Sequence, residues 1–71
     1  MDLRNGNITL AEILRNPQAA AILRQNFPAI MNNRMMMRIG RNMTLNQIVG
    51  HARGRVPPQQ INAVIEQLRR A

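Results

Sequence analysis

The side chains able to do acid–base or nucleophilic chemistry are few and far apart. His51 is the one histidine; Asp2, Glu12 and Glu66 are the only carboxylates; the chain has no Cys and no Ser. Without Ser or Cys there is no hydroxyl–imidazole or thiol–imidazole nucleophile to assemble. Thr9 and Thr44 have another use as helix caps. One histidine with no thiolate and no carboxylate cluster cannot make a zinc-type site. General acid–base catalysis by paired carboxylates needs two acids facing one another, and these three are scattered. The composition therefore predicts a protein that is not an enzyme and holds no cofactor. Thioethers are the remaining metal-capable groups: Met35, Met36 and Met37, with Met31 and Met43 nearby, resemble a soft-metal cluster of the kind that suits Cu(I). Methionine at helical spacing is also an adaptable core filler, and that reading is preferred. Between the two lies an adaptable, Met-rich partner groove.

Charge is the second chemical feature. All ten cationic residues are Arg, against three acids, for a net charge of +7. No acid occurs between Glu12 and Glu66, while Arg15, Arg24, Arg34, Arg38, Arg41, Arg53 and Arg55 all fall in that stretch. Such a field favours an anionic partner: an acidic protein, an acidic glycan or nucleic acid. The plainer alternative is a set of solvated helix faces. Arg34, Arg38, Arg41, Arg53 and Arg55 are the candidate anion- or partner-binding residues. If the partner is nucleic acid, residues 44–70 can be drawn as helix, turn, helix. Gln59, Gln60 and Asn62 then lie at the start of the second helix as adenine readers. Two prolines in a connection longer than the usual three to four residues argue against this drawing. So does the absence of aromatic residues interleaved with the arginines for stacking on single strands. A membrane-surface role is disfavoured by the lack of Trp and Lys and by well-formed helix caps. "MDLRNGN" has no apolar signal-type core, and no apolar run approaches the roughly 20 residues of a membrane span.

These residues must be carried on helices. "NITLAEI" (residues 7–13) is nearly repeated as "NMTLNQI" (residues 42–48). Each reads as a capping box: Thr9 with Glu12, and Thr44 with Gln47. The residues that follow fall on one helical face, Leu10, Ile13 and Leu14 in the first copy and Leu45, Ile48 and Val49 in the second. A second helix start follows each. Asn16 caps a helix with Pro17 in its first turn, where a missing N–H costs nothing. Pro58 opens the last helix, whose Ile61, Val64, Ile65 and Leu68 match the i, i+3, i+4, i+7 pattern. Between the units, Pro28 ends one helix and can begin the next, Asn32 or Asn33 caps a short Met helix, and Gly40 fits a left-handed position after it. The expectation is an all-α single domain over residues 1–71, a small bundle of four to five short helices. Two related helix pairs are joined by a Met-rich helical connector, and residues 1–6 are expected to be flexible. With Phe27 the one aromatic residue, the core must come from Leu, Ile, Val, Ala and Met.

In order, "TLAEIL", "NPQAAAIL", Pro28 after Phe27, a Met helix closed by Gly40, "MTLNQI" and "VPPQQINAVIEQL" resemble short helical modules at the C-terminal ends of bacterial glycoside hydrolases and esterases. The resemblance spans Thr9 to Leu68. It departs at Arg34, where a Pro is common, and in the abundance of Arg. It implies a non-catalytic accessory role in attachment or interaction, and no catalytic residue carries over, because the shared motifs are caps and core. The leading expectation is thus a non-catalytic interaction or accessory module that binds a protein or anionic polymer through its Arg-rich middle. The alternatives are a nucleic-acid-binding domain and a structural or designed scaffold with no ligand. A homodimer through the Met surface is also open.

Overall fold

Helices this short depend on partners for their first N–H groups. In the computed structural model, which describes residues 1–71, side chains cap four of the helices, and the other two open on a proline with no side-chain cap. A single 3-10 turn at Arg4–Gly6 precedes six helices: α1 (Leu10–Leu14), α2 (Pro17–Asn26), α3 (Pro28–Met31), α4 (Arg34–Gly40), α5 (Leu45–Ala52) and α6 (Pro58–Arg70). The protein is all-α, with six helices rather than four or five. The extra one is α3, a single turn that Pro28 starts immediately after it stops α2. No helix is long and apolar enough to cross a membrane.

The Thr44 box is complete. Its hydroxyl accepts from the Gln47 N–H at 3.2 Å, and the Gln47 side-chain oxygen accepts from the Thr44 N–H at 2.9 Å. Asn16 accepts from the Gln18 and Ala19 amides at 3.0 and 3.4 Å, and Asn33 from the Met35 and Met36 amides at 3.1 and 3.2 Å. The Thr9 box is only half formed. Thr9 accepts from the Glu12 N–H at 3.3 Å, but the Glu12 carboxylate does not return to the Thr9 backbone. It accepts instead from the Thr9 hydroxyl and pairs with Arg4. A charged donor draws the carboxylate more strongly than a neutral amide does.

The repeated phrase has a further use that cap chemistry alone does not reveal. The two copies pair with each other. Thr9 lies opposite Thr44 in an antiparallel contact. The Leu10 N–H donates to the Met43 carbonyl at 3.0 Å, and the Leu45 N–H donates to the Ile8 carbonyl at 2.8 Å. The Ala11 N–H adds a bond to the Arg41 carbonyl at 3.0 Å. Leu10 and Leu45 are the first residues of α1 and α5, so each helix start supplies what the other lacks.

Ile8, Leu10 and Leu45 around this pairing are buried and join Leu3, Ile13, Ala19, Leu23, Val64 and Leu68 in one core. Ile13 and Leu68 are fully buried. Helix α2 packs on α1 and α6, and the α3–α4 pair extends from the end of α2. Residues 1–6 are not a loose segment. Leu3 is in the core, and the Met1 amino group donates to the Arg69 and Ala71 carbonyls at the end of α6. Gly6, at φ +89°, fits so closely under α5 that a Cβ would meet the Asn46 side chain at 2.1 Å. The Met connector contributes less to the core than expected. No Met is buried; of the triplet, Met37 alone is half-buried against the core. Gly40 is not a left-handed terminator but the last residue of α4, buried where a Cβ would only touch Leu10.

Two measurements check this account. The Leu10, Ala11 and Leu45 amides should exchange with solvent far more slowly than that of Gln59, which occupies the second position of α6 and makes no such bond. Thr9→Ala and Thr44→Ala should each lower stability by about 1 kcal/mol in chemical unfolding; two neutral substitutions would refute the capping roles.

Candidate functional site

Helix α4 is held by little. Only Gly40 of its seven residues is buried, and α3 has no buried residue. Its apolar side chains are therefore left over: Ile30 of α3 is 41% exposed, and Met35, Met36 and Ile39 are 71%, 45% and 66% exposed. Facing Ile30, Met36 and Ile39 across a gap stand Ile48, Val49 and Ala52 of α5, and the gap is floored by core residues including Leu23 and Val64. The result is a half-open groove of about 440 Å³, and 18 of its 21 lining residues are hydrophobic. Methionines Met31, Met36, Met37 and Met43 make up much of one side. The polar side chains that reach it are His51 and Arg55, from the end of α5 and the connection after it.

The electrostatics are one-sided. Glu12 pairs with Arg4, Glu66 pairs with Arg69 and Arg70, and the Asp2 carboxylate accepts from the Arg4 N–H at 2.9 Å. The seven arginines between Glu12 and Glu66 make no ion pair, and all are exposed. No carboxylate lines the groove. Arg34, Arg38 and Arg41 follow i, i+4, i+7 spacing, which puts them in one stripe on the face of α4 away from the groove. One helix diameter, about 10–12 Å, separates that stripe from the groove side, more than the Debye length of about 8 Å at physiological salt, so its charge reaches the groove mainly at low salt.

The five candidate arginines thus divide. Arg55 lines the groove, while Arg34, Arg38 and Arg41 lie on or just after the helix that walls it. Arg53 belongs elsewhere, in a wider recess of about 930 Å³ between the N-terminal turn, α5 and α6. Asn62 lines that recess as well, with Asp2 and Arg69. Gln59 and Gln60 line neither concavity, and Gln60 is half-buried. None of the three proposed base readers lines the groove beside α4. No three of the His, Asp and Glu side chains come together in a group able to hold a metal ion. The sequence offers a Met-rich partner groove as one reading of the triplet but does not place it between α4 and α5; the three consecutive positions cannot share a helix face, and Met36 and Met37 line the groove while Met35 does not.

Comparison with protein families, with curated proteins and with solved structures finds no match to this chain.

The exposed wall and the buried core should respond differently to substitution. Ile39→Gln should change stability by no more than about 0.5 kcal/mol. Leu68→Ala should cost about 2–5 kcal/mol in the same urea titration. A large loss at Ile39 would mean that the groove is closed in solution.

Proposed function

We propose that this chain is a non-catalytic helical interaction module that receives its partner in the apolar groove between α4 and α5. The observation that carries the reading is that a folded domain leaves an 18-of-21 hydrophobic concavity open to solvent. Apolar surface of this kind, concave and contiguous, marks a binding site rather than ordinary surface scatter. The arginine-rich middle of the chain supplies a positive surround. The scattering of His51, Asp2, Glu12 and Glu66 supports a role without catalysis. So does the likeness in motif order to accessory modules of bacterial glycoside hydrolases and esterases. The groove's methionines fit a binding role better than a metal role, since a partner needs walls that repack.

Seven exposed arginines without ion pairs favour a second reading, nucleic-acid binding through charge. An anilinonaphthalene sulfonate titration set beside a duplex DNA titration separates the two. On the groove reading the dye binds saturably, and Met36→Glu combined with Ile39→Glu removes that binding while Gln59→Ala with Asn62→Ala leaves it intact. On the nucleic-acid reading, duplex binds with a sequence preference and a steep salt dependence, and the Gln59 and Asn62 substitutions relax that preference. Absence of saturable dye binding refutes the groove as a docking surface.

A further inference from the structure

We propose that the occupant of the groove is a short amphipathic helix of another protein, with large apolar side chains on one face and carboxylates beside them. This rests on the groove being a docking surface and goes on to name what docks.

Three observations converge on that chemistry. The lining is hydrophobic apart from Gly40, His51 and Arg55, so an occupant must bring an apolar face or strand its own polar groups against it. His51 and Arg55, from the end of α5 and the connection after it, both line the groove, so the occupant also meets positive charge and hydrogen-bond donors. Several walls are methionine, which adapts to the branched and aromatic anchors of a helix better than to a ligand of one fixed shape.

Charge then selects the partner. The chain carries +7, and all three carboxylates are turned to other contacts outside the groove. A second copy would bring a second +7 and its own unpaired arginines to the same interface, so self-pairing is opposed. Carboxylates flanking the apolar face of a partner helix would instead meet Arg55 at the groove and, at low salt, the field of the Arg34, Arg38 and Arg41 stripe. Like charges on the partner would be rejected by the same groups, so the arrangement discriminates by sign.

The test uses the full chain and three synthetic peptides of about 15 residues, about four helical turns. One is a Leu/Glu amphipathic helix. The second has the same composition with its apolar face scrambled, and the third replaces Glu by Lys. Fluorescence anisotropy is read at low and high salt. The expected result is that the first binds at least tenfold more tightly than either of the others and weakens several-fold as salt rises. Met36→Glu with Ile39→Glu should reduce that binding at least tenfold while the helical circular dichroism spectrum is retained. Arg38→Glu with Arg41→Glu should reduce it and flatten its salt dependence. Equal binding of the scrambled acidic peptide would overturn the proposal, because charge alone would then be the determinant. So would a salt-insensitive dimer, seen by light scattering, that the peptide does not displace. Binding to vesicles containing phosphatidylserine that the peptide fails to compete would assign the groove to lipid instead, and also overturns it. If the dye fills the groove and no peptide binds, the helical partner is refuted and the docking surface stands. If neither binds, both readings fall.

Discussion

The structure depends on a reciprocal pairing of two helix starts. Isolated helices below about 12–15 residues are marginal in water, and five of the six here fall below that length. Each leaves N–H groups at its start that need partners. For α1 and α5 part of the answer is mutual: the Leu10 amide takes the Met43 carbonyl, and the Leu45 amide takes the Ile8 carbonyl. Because these bonds join distant parts of the chain, they form only when both units are in place. Helix initiation is thereby tied to tertiary structure, and Ile8, Leu10 and Leu45 are buried by the same event.

That constraint also explains where the fold is left open. The pairing sets α1 beside α5, while α2 packs on α6 and closes the core around Ile13 and Leu68. The chain must still travel from the end of α2 to the second phrase, and α3 and α4 make that journey. They are fastened by Phe27 and Met31, by Met37, and by buried Gly40 against Leu10. Ile30, Met36 and Ile39 are left exposed. The groove is the space between this lightly fastened connector and the core.

Much of this was legible in the residues. Thr44 with Gln47, Asn16 before Pro17, and Pro58 mark helix starts through local chemistry, and the structure has those helices. Ile61, Val64 and Leu68 announce their buried face through spacing and are buried. What was not legible is non-local. A cap motif does not say that its first amide will bond to another cap motif. The 3.6-residue period tells which side of a helix is apolar, not whether another helix will cover it, so the Met helix was expected in the core and lies at its edge. Leu3 was a lone apolar residue in a polar segment, too little pattern to predict burial. The arginines were legible as charge; their division between groove, α4 stripe and recess was not, since it follows from how α5 and α6 turn against the rest.

The use of arginine throughout, with no lysine, suits a helix that carries an apolar face and a charged one. A guanidinium is more weakly hydrated than an ammonium group, can lie along apolar surface on its methylene stem, and offers a planar fork to a carboxylate. On the proposed reading the two faces would act separately on an approaching helix. Apolar area removed from water would supply most of the affinity, at about 25 cal/mol per Å² before the costs of association. Charge would govern the rate of encounter and the sign of what is accepted. The same charge would oppose pairing between two copies of the chain through its four exposed large hydrophobic side chains.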